Sequence, residues 1–254
     1  VSVKRVLDGM DTLAPIFSIQ RARERATFNH GWLQTSHSFS FAEYYDPQNI
    51  QWGALRVFND DTVAPGTGFG EHPHRNMEIV TYVLSGRLKH ADSMGREGVV
   101  EPGGVQYMSA ASGILHSEFN ADDQHPVHFL QMWVMPERLG GTPLYGQQAF
   151  AASERTGKWL VVASGEPAVG APIAIRAAAT LRVARIEGTA LTLDLGAERF
   201  GFLFVAQGAV EVDGESLAAG DAVRMAGAQT RTLRGAAEVV FWDVPPYDVR
   251  RDEG

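Results

Sequence analysis

The chain has 254 residues, of which 44% are hydrophobic and 20% charged, with a formal net charge of −8. That is enough chain for one large or two ordinary soluble domains, and the negative balance argues against direct binding to nucleic acid or an anionic membrane. There is no cysteine, which excludes disulfides, thiolate zinc sites and cysteine nucleophiles, so any metal must be held by nitrogen and oxygen.

The N-terminus has no apolar signal-peptide core, and no run approaches 18 apolar residues, so the expected compartment is the cytoplasm. The basic stretch Gln20-Arg21-Ala22-Arg23-Glu24-Arg25 reads as a solvated turn or strand edge. Ser36 to Phe41 alternates polar and apolar residues and predicts a strand; His30 and His37 read as hydrogen-bonded scaffold residues rather than ligands. Asp46 to Asn49 predicts a turn. Ala54 to Phe58 predicts a short strand, closed by a turn at Asn59-Asp60-Asp61.

Pro65 to Gly70 is glycine-rich, but no helix follows, so it is not a phosphate loop. Its glycines are expected to let backbone pack closely beside the next residues, His72 and His74. Glu78 to Leu84 predicts a buried strand, Asp92 to Gly95 a hairpin tip, and Val105 to Met108 another strand. It leads to Gly113 and then to His116 and Glu118. His128 to Val134 predicts a further strand. Pro136 to Gly146 reads as a linker, and strands resume at 158–164 and recur to Val244. Short strands with glycine turns at this spacing predict an all-β chain of antiparallel sandwiches or barrels.

The two histidine-containing pairs carry the chemistry. In an extended chain, residues i and i+2 share a face. His72 with His74, and His116 with Glu118, therefore each present two ligand atoms from one strand. If the strands face each other, three imidazoles and one carboxylate converge, a set suited to a first-row transition metal. An octahedral ion would keep two positions open for substrate and oxygen, whereas a tetrahedral zinc could be closed and structural. Glu118 could also act as a base. Phe69, Met77, Met108, Phe119 and Trp133 offer apolar surface near these strands for an aromatic substrate, although core packing is the simpler role of each.

The second half resembles a diverged copy of the first. Tyr82 to Gly86 resembles Phe204 to Gly208, and Gly103 and Met108 are spaced like Gly220 and Met225. Extended without gaps, these anchors put Asp194 and Gly196 opposite His72 and His74, and Leu233 and Gly235 opposite His116 and Glu118. The copy is thus expected to lack a ligand set.

These residues resemble the two cupin motifs. Gly66-x5-His72-x-His74-x3-Glu78 fits the first, with Gly86 one position late. Gly113-x2-His116-x3-Asn120 fits the end of the second, with Ala111 and Val105 in place of the usual Pro and Gly. Asn29 to Trp32, His37 to Phe41, Tyr44 to Pro47, Leu55 to Val57, His72 to Arg75, Asp92 to Gly95, Met108 to Ala110, Gly113 to Asn120 and Gln131 to Pro136 resemble the pirin family more specifically. Within it they resemble bacterial pirin-like proteins with quercetin 2,3-dioxygenase activity. The resemblance implies a bicupin of two antiparallel β-barrel (jelly-roll) domains, 1–137 with the metal site and 138–254 without ligands, with 138–157 as connector. It implies His72, His74, His116 and Glu118 as ligands of one divalent transition metal, with Fe(II) the first expectation and Mn, Ni, Co or Zn also compatible. Glu78, a ligand in many cupins, is left out. The implied reaction opens a flavonol such as quercetin with O2 and releases CO, Glu118 taking the proton of the 3-hydroxyl. The alternative is a non-enzymatic, metal-dependent regulator of a transcription factor or metabolic enzyme, with Arg21, Arg23, Arg25 and the second barrel as the surface for a protein partner.

Overall fold

The computed structural model describes residues 14–247; the outer ends of both expected domains, 1–13 and 248–254, lie outside the described residues. The first twelve strands are β1 (Ile16–Gln20), β2 (Ala26–Asn29), β3 (Leu33–His37), β4 (Leu55–Val63), β5 (Gly68–His74), β6 (Glu78–Ser85), β7 (Leu88–Asp92), β8 (Glu97–Val100), β9 (Val105–Ser109), β10 (Ile114–Asn120), β11 (Val127–Val134) and β12 (Leu144–Gln148). Then follow β13 (Leu160–Ser164), β14 (Ile173–Ala174), β15 (Thr180–Glu187), β16 (Leu191–Leu195), β17 (Phe200–Val212), β18 (Glu215–Ala218), β19 (Ala222–Ala226) and β20 (Gln229–Val244). No helix among the described residues is long and apolar enough to cross a membrane.

The first barrel is a seven-stranded sheet, ordered β12-β9-β6-β11-β4-β3-β2, and a four-stranded sheet, ordered β5-β10-β7-β8. The second barrel is ordered β1-β19-β17-β20-β15-β13-β14, with β16 on β20 and β18 on β17. Its long strands carry different partners along their length, β17 pairing with β19 and then β18, and β20 with β16 and then β15, and among the described strands only β13 and β14 pair in parallel. Two strands cross the expected domain limits. β1 pairs with β19 of the second barrel, and β12, inside the expected connector, pairs with β9 of the first. Each covers a sheet edge that would otherwise present unpaired backbone groups.

Strand parity decides what each barrel buries. In β6 and β11, Val80, Tyr82, Leu84, Leu130, Met132 and Val134 join a core shared with Phe200, Phe202, Phe204, Val240 and Trp242 of the second barrel. The alternate residues Val83 and Phe129 pack inside the first barrel, and Gln131 and Trp133 face its cavity. The shared core is knitted by Phe58 against Phe204, with ring centroids 4.7 Å apart, and by the Trp52 indole N–H donating to the Gly201 carbonyl at 3.1 Å. Both faces of β6 are buried from Glu78 to Leu84, and apolar residues accordingly fall on both faces rather than alternating with polar ones.

One turn expectation is overturned. Asn59-Asp60-Asp61 lies inside β4, because two inner-face polar residues border a cavity and Asp60, on the other face, is bound by Arg25 at 2.9 Å and His128 at 2.6 Å. The predicted strand at Ser36–Phe41 is also displaced: β3 ends at His37.

Candidate metal centre

β5 and β10 pair antiparallel, with His72 directly opposite His116 and His74 opposite Ile114. On β10 the side chains alternate: His116 and Glu118 are buried, whereas Leu115 and Phe119 point outward, 39% and 40% exposed. A bulge between His116 and Glu118 places Glu118 opposite Phe69 and redirects the carboxylate relative to the imidazoles. Gly68 permits that close approach, since a Cβ there would collide with the Glu118 carbonyl and Phe119. Pro73 is tolerated because β5 is the edge of its sheet.

The three imidazoles converge. His72 Nε2 lies 3.1 Å from His116 Nε2, and the ligand atoms of His72, His74 and His116 all lie within 4.8 Å of one another. His72 Nδ1 is 2.7 Å from the Gly70 carbonyl; donation there puts the ring proton on Nδ1 and leaves the Nε2 lone pair facing inward. Two nitrogens each about 2.1 Å from a common ion, at right angles, stand about 3.0 Å apart; a tetrahedral angle would set them about 3.4 Å apart. The observed spacing is short enough for both nitrogens to share one ion. Burial lowers His116 to about 2, with His72, His74 and His90 adding to the fall, and lowers His74 to about 4. Both rings are thus neutral and available as ligands at physiological pH.

Glu118 sits deeper. Its carboxylate accepts from the side-chain amides of Gln106 and Gln131, the latter at 2.6 Å. Burial pushes it up to about 7, the two amides offsetting part of the rise. It shares a second cluster with His116 and His90 rather than with the outer two histidines. His90 was not singled out in the sequence; it faces Glu118 across the β7–β10 pair, is fully buried, and stacks on Tyr145 at 4.2 Å. Its inward position is foreshadowed only by the alternation Leu88-x-His90-x-Asp92. Glu78, left out of the expected ligands, is occupied elsewhere, accepting from Tyr107, from Ser109 at 2.6 Å and from the Arg176 backbone at 2.9 Å. His72, His74 and His116 form one group of donors and His90, His116 and Glu118 a second that shares His116; either offers nitrogen and oxygen donors of the kind a divalent transition metal takes.

A cavity of about 420 Å³ opens beside His72, His74 and Glu118, within the range of about 300–1,000 Å³ usual for small-molecule sites. Of the apolar residues expected near a substrate, Phe69 and Trp133 line it. Met77 and Met108 belong instead with Ile79, Ala110 and Ile114, and Phe119 is on the outer face. Trp32 and Phe41, not singled out in the sequence, extend the aromatic wall, Trp32 on Phe69 and Phe41 on Trp133. His30 and His37 also line the cavity. Burial lowers His37 to about 4, with the charge of Arg25 adding to it.

Residues 18–134 match the Pirin family and residues 161–244 the quercetinase C-terminal cupin domain. The chain belongs to the pirin family. An Escherichia coli protein named quercetin 2,3-dioxygenase is 40% identical over 230 residues, covering 90% of this chain and 98% of that protein. A pirin-like protein of Caulobacter vibrioides is 45% identical over 194 residues, covering 76% of this chain and 83% of its own. The solved structure of the bacterial pirin YhhW from Escherichia coli in complex with nickel(II) superposes with a TM-score of 0.85 at 36% identity, covering 91% of this chain and 100% of that one. The two cupin-type barrels expected from the sequence are present, and the second holds no comparable ligand set among the described residues. Its interior is packed with Leu191, Leu193, Leu195, Leu203, Val205 and Leu233. The gapless correspondence needs one correction: Leu233 faces Leu191, and Asp194 faces Thr230, so the two copied strands are out of step by three residues.

Proposed function

We propose that this pirin is a metal-dependent dioxygenase that opens a flavonol such as quercetin with O2 and releases CO. The observation that carries the reading is the aromatic-walled cavity of about 420 Å³ that reaches the histidine cluster. The activity named for the Escherichia coli relative supports it. His72, His74, His116 and Glu118 would hold the metal. Fe(II) remains the first expectation, and nickel is the ion named in the related structure; Mn, Co and Zn accept the same donors. Bound there, the ion supplies Lewis acidity and a path for electrons between substrate and oxygen.

The chain's own residues do the rest. Trp133 with Phe41, and Phe69 with Trp32, present ring faces and edges to a flat substrate. Glu118 would take the proton of the flavonol 3-hydroxyl, the role its buried carboxylate at the cavity allows. Gln106 and Gln131 keep that carboxylate aimed into the cavity. The regulatory alternative has less support, because Arg21 and Arg25 are engaged by Asp221 and Asp60, each at 2.9 Å.

The test is anaerobic loading with Fe(II), followed by oxygen uptake and loss of flavonol absorbance. Wild type should turn over and His72→Ala should not. Glu118→Gln should lose about 100-fold or more, and unchanged turnover in that variant would sink the base role. A stoichiometrically loaded protein that consumes no oxygen with quercetin would favour the regulatory reading.

A further inference from the structure

The cavity is also bounded by a patch of polar side chains that the proposed chemistry does not use. β3 and β4 pair with Thr35 opposite Asp61 and His37 opposite Asn59. All four are buried, at 2–4% exposure, and all four line the cavity. Asp61 Oδ1, Asn59 Oδ1 and His37 Nδ1 have no hydrogen-bond partner among the described residues. Buried polar atoms without partners are unfavourable, and these three together with Thr35 Oγ1 on one wall call for a common ligand. No cation answers them: Arg25, the nearby guanidinium, is taken by Asp60 on the other face of β4.

The patch also has a measurable offset from the reacting end. Gln131, which donates to Glu118, is the β11 neighbour of Asn59, and His37 is the next neighbour beyond. Asn59 and Asp61 thus stand one strand spacing, about 5 Å, from β11, and Thr35 and His37 two spacings, about 10 Å, which reaches from a reacting ring to the ring joined to it. The aromatic walls follow the same course, from Trp133 to Phe41 to His37, with ring centroids 5.3 and 5.2 Å apart.

We infer that Asp61, Asn59 and His37, with Thr35 beside them, form a hydroxyl-recognition patch that selects polyphenols carrying a phenolic O–H on the ring remote from the metal. Burial pushes the Asp61 carboxyl up to about 7, so it can take either role toward a phenolic hydroxyl, which itself both donates and accepts. The inference rests on the dioxygenase reading only for which end of the substrate faces the histidines.

The test is anaerobic calorimetric titration of nickel-loaded protein, so that binding is read without turnover. Quercetin and 3-hydroxyflavone share the 3-hydroxyl and ring system, but the second has no hydroxyl on its outer rings. Wild type should bind quercetin at least about 10-fold more tightly, since a site built for a hydroxyl discriminates against the analogue without it. Asp61→Leu should bring the two ligands within about 3-fold, chiefly by weakening quercetin. Asn59→Leu should narrow the preference in the same direction, so that the result does not depend on one variant folding. A quercetin preference that survives both substitutions would overturn the inference, as would a wild-type protein that binds the two alike or binds neither. Preference lost in the variants, with no oxygen consumed by wild type, would support the patch and sink the dioxygenase reading.

Discussion

Glu118→Gln separates the stability of the site from its chemistry. In the metal-free protein the Glu118 carboxylate is buried and neighboured by amides rather than a cation. Its folded-state value is raised from 4.5 to about 7. The folded state therefore binds more protons than the unfolded state between those values, and stability falls as pH rises through that window. The full term, reached at about pH 8, is about 3 kcal/mol of destabilisation. Gln has the same shape and no charge. Its amide requires one neighbour to turn, and Gln106 can do so because its Oε1 has no partner among the described residues. Metal-free Glu118→Gln should thus gain about 2 kcal/mol over wild type at pH 8 relative to pH 5, or roughly 5 °C in Tm. Denaturant and thermal melts at the two pH values measure it. Saturating nickel should then reverse the order at pH 8, because binding stabilises only the protein that keeps the ligand. Identical pH dependence in the two metal-free proteins would refute the argument that Glu118 is an uncompensated buried carboxylate.

The other expectations probe the scaffold. Gly68→Ala must displace the Glu118 backbone, so nickel affinity measured by competition should fall more than Tm does; loss of both in step would point to general unfolding. Leu233→Ala, in the filled second barrel, should cost about 2–5 kcal/mol and leave nickel stoichiometry at its wild-type value. Burial alone would raise Asp60, but hydrogen bonds from His128 and the charge of Arg25 more than reverse it and hold its carboxyl below the usual range. That stability is present above the unfolded value of 3.8 and is lost as pH falls through the folded one. Acid unfolding followed by circular dichroism should accordingly be shallower in Asp60→Asn than in wild type.

The pairs His72/His74 and His116/Glu118 were legible because a strand has period two, and that period survives any error in where the strand starts or stops. The facing of His72 on His116 follows from it once the two strands pair. The depth of Glu118 was not legible, because it depends on a bulge of one residue, which no propensity announces. Phe119 has the right chemistry for a substrate wall and the wrong parity, being the odd neighbour of two inward residues. His90 required knowing that β7 lies beside β10 rather than beside β6, its neighbour in sequence.

Asn59-Asp60-Asp61 shows the same limit from the other side. Three polar residues in succession read as a turn because turns are where such residues ordinarily find partners. They stand instead in the middle of a nine-residue strand, with Asp60 bound on one face and Asn59 and Asp61 open to the cavity on the other. Local propensity is violated there while Asn59 Oδ1 and Asp61 Oδ1 stay unpartnered, and such conflicts concentrate at functional sites. The second barrel supplies the contrast. It keeps the strand plan of the first and replaces the ligand-bearing interior with leucine and valine, while the shared aromatic core still binds the two barrels together. One barrel thus spends its interior on packing, and the other leaves buried polar groups available for a ligand.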